Sequence, residues 1–141
     1  MGWTFYNASG QQLRNTGTVL ATQAEMEAGS VITSFVTPGR TQHHPGVAKA
    51  WVKYEQDSGH SAAASYNVAS VTDAGVGQTT IAWDTDFSTA DYVVTGTSVN
   101  GEFMDMLESS IAAGSIDART RALDNSGVDN SNNWVVAFGD Q

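Results

Sequence analysis

Val47-Ala48-Lys49-Ala50-Trp51-Val52-Lys53-Tyr54-Glu55 is the stretch on which the fold turns. Ala50, Val52 and Tyr54 alternate with Trp51, Lys53 and Glu55, and a period of two gives a strand two different faces. Glu55 to His60 is a polar loop. Beyond it Ala64-Ser65-Tyr66-Asn67-Val68-Ala69-Ser70-Val71 alternates again, with Ala64, Tyr66 and Val68 on one side, which predicts a second strand. The glycine-rich turn Thr72 to Gly77 leads to a strand over Thr79 to Trp83. After the Asp84 to Ala90 loop comes another over Tyr92 to Thr97. These strands read as a meander. Asn100-Gly101 marks a tight turn, and Phe103 to Ser109 reads equally as a helix or as an irregular strand carrying Met104 and Met106. Ile116 to Leu123 alternates, a polar loop follows, and Trp134-Val135-Val136-Ala137-Phe138 closes the chain as the second arm of a hairpin. About seven short strands predict an all-β sandwich or closed barrel.

Upstream, Trp3 to Tyr6 and Gln11 to Arg14 flank the turn residues Asn7-Ala8-Ser9-Gly10, which predicts a small hairpin. Thr18 to Ala21 reads as a brief extended segment. Thr22 can cap a short helix with Glu25 as its capping-box partner, and Gly29 ends it. Val31 to Thr37 is β-branched and apolar, Pro38-Gly39 stops regular pairing, and Thr41 to Gly46 is a connection. The division expected is a neck over residues 1–46 and a β-sandwich-like domain over residues 47–141.

The 141 residues suffice for one hydrophobic core, and with no cysteine any further rigidity comes from packing or subunit association. A net charge of −9, from 15 acidic against 6 basic residues, disfavours a nucleic-acid partner. Arg119, Arg121 and Lys49 form a candidate local patch for an anionic glycan. No apolar run approaches the roughly 20 residues of a membrane span, so membrane insertion is not expected. Met1-Gly2-Trp3 is not the basic start of a secretory signal.

Three stretches carry a resemblance. Ala21-Thr22-Gln23-Ala24-Glu25-Met26-Glu27-Ala28-Gly29 with Phe35-Val36-Thr37-Pro38-Gly39-Arg40 resembles the neck of bacteriophage and prophage tail fibres. His44-Pro45-Gly46-Val47-Ala48-Lys49-Ala50-Trp51-Val52 with Ala64 to Gly75 resembles the start of their C-terminal receptor-binding domain, and Phe138-Gly139-Asp140-Gln141 matches that family's usual end. The resemblance implies an intertwined parallel homotrimer at the distal end of a virion tail fibre, made in the bacterial host cytoplasm and joined to an upstream fibre shaft. On that reading Met1-Gly2 begins a fragment of a longer fibre. The implied function is adhesion to a cell-surface receptor, a glycan or an outer-membrane protein. A purely structural role, locking the fibre trimer or decorating the virion, is the rival.

Trp83 beside Asp84 and Asp86, and Trp134 with Asn130, Asn132 and Asn133, each combine an aromatic platform with hydroxyl-binding groups, as glycan recognition requires. No cofactor is required. His43 or His44 near a threefold axis could hold a divalent metal through nitrogen ligands from three chains, against the ordinary reading of a solvated loop. On an extended segment the two would point to opposite sides. Asp84-Thr85-Asp86 and Asp124 to Asn130 offer oxygen ligands suited to calcium, but turn chemistry explains both. Catalysis is not expected, because a Gly-x-Ser-x-Gly elbow and cysteine are both missing. The resemblance adds that fibre depolymerases carry long β-helical bodies for which there is no room here. Asp84 and Asp86 as a polysaccharide-cleaving pair form the enzymatic alternative. Asn7-Ala8-Ser9 fits the N-glycosylation pattern by chance.

Overall fold

The computed structural model describes residues 5–6, 12–13, 20–31, 34–99 and 101–141. The chain forms two compact units, Met1–His44 and Pro45–Gln141.

In the first unit, β1 (Phe5–Tyr6) pairs antiparallel with β2 (Gln12–Leu13), Phe5 opposite Leu13. The turn expected at Asn7 to Gly10 lies outside the described residues, as does the N-glycosylation pattern within it. Helix α1 (Gln23–Ala28) starts as its sequence requires. The Glu25 amide donates to the Thr22 hydroxyl at 3.2 Å, and the Thr22 amide donates to the Glu25 carboxylate at 2.7 Å. Two orphan donors are satisfied reciprocally. Gly29 ends the helix at φ 61°, its amide donating to the Glu25 carbonyl at 3.0 Å. Leu20 and Phe35 form a parallel bridge. Pro38 opens the one-turn helix α2 (Pro38–Thr41), because a residue without an N–H loses nothing at a first helical position.

The second unit is a sandwich of two four-stranded antiparallel sheets. Its strands are β3 (Ala50–Glu55), β4 (Ser61–Tyr66), β5 (Val68–Gly75), β6 (Gln78–Trp83), β7 (Val93–Ser98), β8 (Phe103–Met106), β9 (Ser115–Arg121) and β10 (Asn133–Phe138). One sheet runs β4-β3-β10-β7 and the other β5-β6-β9-β8. The expected meander and closing hairpin are corrected by this order. Asn67, at φ 54°, turns the chain from β4 in one sheet to β5 in the other. The final strands β9 and β10 lie in different sheets and do not pair. The ambiguous stretch resolves as β8 followed by a 3₁₀ turn over Glu108–Ser110.

The core lies between the sheets. Ala50, Val52 and Tyr54 of β3 and Val135 and Ala137 of β10 meet Ile81 and Trp83 of β6 and Ile116 and Ala118 of β9. One end of this core is aromatic. Phe87 stacks on Tyr92 at 4.1 Å, and both stand edge-on to Trp83 at 5.8 and 6.0 Å. The other end is polar. The buried Gln56 Oε1 accepts from the Thr120 hydroxyl at 2.9 Å, the Asn130 amide at 3.1 Å and Asn133 Nδ2 at 3.1 Å, while Gln56 Nε2 donates to Thr79 at 3.0 Å. Gly77 seals this end at φ 69°, where a Cβ would stand 2.5 Å from both the Thr120 carbonyl and the Val128 amide. Only glycine fits there.

Candidate functional site

The alternation that buries Ala50, Val52 and Tyr54 turns Trp51, Lys53 and Glu55 to the outside, and in β10 it buries Val135 and Ala137 while exposing Trp134. Register places these outward residues in rows. Trp134 stands opposite Lys53 and Thr97, Val136 opposite Trp51 and Thr95, and Trp51 opposite Tyr66. Trp51 and Trp134 are 41% and 39% exposed, far above what a core indole shows. Between β3, β10 and β7 they border a shallow groove of about 390 Å³, completed by Val136, Thr95, Gly96 and Thr97. Lys53 extends its ammonium over the Trp134 ring, 5.8 Å from the centroid, within cation–π range.

The four strands carrying this face hold one acid, Glu55, and one base, Lys53, in a chain of 15 acids. Glu55 is occupied. It accepts from the Ser58 amide at 2.8 Å and hydroxyl at 2.7 Å and from the Ser61 hydroxyl at 2.9 Å, which hold its carboxyl down to about 2. Asp57 beside it is pushed up, chiefly through Glu55. The pair belongs to an exposed turn. Chemically the face is an apolar platform with two indoles, threonine hydroxyls at its rim and one lysine ammonium, suited to stacking on the C–H face of a sugar ring.

Several candidates are relocated. Trp83 is a core residue, 4% exposed, with its Nε1 donating to the Tyr92 hydroxyl at 3.2 Å and that hydroxyl donating to the Ser115 carbonyl at 3.0 Å. It offers no platform to a ligand. Asp84 and Asp86 are exposed in the loop beyond it, where Asn67 brackets Thr85 by accepting from its amide at 2.6 Å and donating to its carbonyl at 3.1 Å. Asn130 and Asn133 are buried in the polar end of the core, Asn133 accepting from Ser98 at 2.7 Å, and their amides are consumed by the fold. Asn132 is half-buried in the preceding loop. Of that second group Trp134 lies on the outer face. Trp51 and Lys53 escaped selection as site residues, although their place opposite Ala50, Val52 and Tyr54 was the signal that finds them.

The proposed cationic patch is also corrected. Lys49 is buried, and Arg119 and Arg121 both pair with Asp105. His43 and His44 follow α2 in a turn rather than an extended segment, their amides donating to the Arg40 and Thr41 carbonyls at 3.1 and 3.0 Å. Asp124 accepts from the Ser126 amide and hydroxyl, bonds that lower its carboxyl, and Asp129 accepts from the Gly77 amide at 2.7 Å. Among the described residues of one chain, no three His, Asp or Glu side chains converge as metal ligands. Nor, among them, is any helix long and apolar enough to cross a membrane. No family model, curated protein or solved structure matches the chain.

Proposed function

We propose that this chain is the receptor-binding tip of a bacteriophage tail fibre, and that the outer face of the β4-β3-β10-β7 sheet is its adhesive surface. The exposed Trp51–Trp134 pair is the observation that supports this reading most. Large rings left in water on a sheet almost free of charge are the composition of a binding surface rather than of a solvated one. In this reading the chain is a homotrimer on a fibre shaft, located on the virion, and it binds a surface glycan or outer-membrane protein without cleaving it. Three tips per fibre convert weak single-site binding into firm attachment. A divalent ion held by His43 or His44 of three chains belongs to the same trimer proposal.

The test is binding of fluorescently labelled protein to a panel of Gram-negative strains, with light scattering to establish its mass. Saturable binding to some strains is expected, and Trp134→Ala lowers apparent affinity about thirtyfold, the cost of a hot-spot aromatic of about 2 kcal/mol. Equal binding by wild type and Trp134→Ala would remove the site.

The structural rival draws on a different feature. Every residue of β4 is exposed, and this edge strand, Ser-Ala-Ala-Ala-Ser-Tyr, has none of the lysines, prolines or inward charges that keep natural edges from pairing. Edge pairing between copies would make fibre locking the main role. A trimer that binds no strain favours it.

A further inference from the structure

We infer that the Trp51–Trp134 groove selects carbohydrate bearing a carboxylate, a uronic or sialic acid type of residue, with Lys53 as the specificity-determining group; this rests on the adhesive reading above. The lysines and arginines of the sandwich are Lys49, Lys53, Arg119 and Arg121. Lys49 is buried, and both arginines are engaged by Asp105. Among the described residues Lys53 is the sandwich cation that reaches the surface without a carboxylate, and it stands at the groove.

Its position makes the ligand's charge matter. The ammonium lies 5.8 Å from the Trp134 centroid, over the ring that a sugar would cover. A pyranose stacking on Trp134 must move that ammonium aside, which its four-carbon stem permits. A neutral sugar then gains the ring but breaks the cation–π contact without replacing it. A carboxylated sugar gives the displaced ammonium a charge-assisted partner at the groove rim, an interaction roughly twice as strong as a neutral hydrogen bond. The nearest acid on the same face cannot compete for Lys53, because three serine donors already hold the Glu55 carboxylate. Thr95 and Thr97, outward on β7, remain to meet ring hydroxyls.

Titration of the full chain with glucuronic acid, galacturonic acid and N-acetylneuraminic acid, each beside glucose and galactose, tests this through tryptophan fluorescence and saturation-transfer NMR. At least one acidic sugar is expected to bind roughly tenfold more tightly than the neutral ones, a preference abolished by Lys53→Gln and weakened by salt. Trp134→Ala should remove acidic and neutral binding together. Equal binding of acidic and neutral sugars, or a preference untouched in Lys53→Gln, overturns the inference while leaving the adhesive surface standing. Absence of all sugar binding, with cell attachment still lost in Trp134→Ala, also overturns it and points to a protein receptor. Attachment unchanged in Trp134→Ala removes the site itself.

Discussion

Glu55 shows how much one surface carboxylate can depend on its turn. Three donors from Ser58 and Ser61 hold it at about 2, below the ordinary 4.5. A carboxyl lowered in the folded state contributes stability above its unfolded value and loses it as pH falls through the folded one. The β3–β4 turn should therefore loosen between about pH 4.5 and pH 2, and Asp57, shifted upward, offsets part of the effect. Protection of the Ser58 amide, taken relative to its intrinsic exchange rate at each pH, should fall as pH drops across that window in the wild type and stay nearly flat in Glu55→Gln. A flat wild-type profile would show the serine bonds to be dispensable. The two candidate tryptophans differ in what they hold, Trp83 being buried and Trp134 exposed. Trp83→Ala, which empties a buried site, should cost about 3–5 kcal/mol in chemical denaturation, whereas Trp134→Ala should cost well under half of that. Equal losses would mean that Trp134 is packed as tightly as Trp83.

Among the elements of the sandwich, β4 is exposed along its whole length. If copies associate along it, Ala63→Lys places a charge in the seam and should lower the mass seen by light scattering while leaving the circular dichroism of the monomer unchanged. An unaltered mass assigns the subunit contact elsewhere. The elements also show what sequence can and cannot tell. Alternation in β3 and β9 was legible because one face of each strand is fully buried, and Thr22, Glu25 and Gly29 spelled out α1 because capping is local chemistry. Strand pairing was not legible. The switch of sheet at Asn67 and the separation of β9 from β10 depend on contacts far apart in the chain. Trp83 was misassigned by its acidic neighbours, although Thr79, Ile81 and Trp83 share one alternating face of β6. Alternation set Trp51 on the strand face opposite Ala50, Val52 and Tyr54, but nothing in sequence joined it to Trp134 before β3 and β10 were paired.

At the scale of the whole sandwich, cohesion has two chemistries. Thr79 and Trp83 occupy opposite ends of β6, roughly 13 Å apart at strand rise. Around Thr79 the layers are joined by the hydrogen bonds of Gln56, and around Trp83 chiefly by packed rings, with the Tyr92 hydroxyl between Trp83 and Ser115 adding two hydrogen bonds. Gln56→Ala leaves Asn133, Thr120 and the Asn130 amide without their shared acceptor and should cost about 2–4 kcal/mol in denaturant unfolding. A loss below 1 kcal/mol would mean that water replaces the amide. The aromatic end answers to a different variable. Burial of apolar surface loses strength on cooling, and directed hydrogen bonds do not depend on that effect. The sandwich therefore has a built-in thermal polarity: near freezing it should open first at Phe87 and Tyr92, like a clasp whose two fastenings respond to different weather, while the end held by Gln56 stays shut.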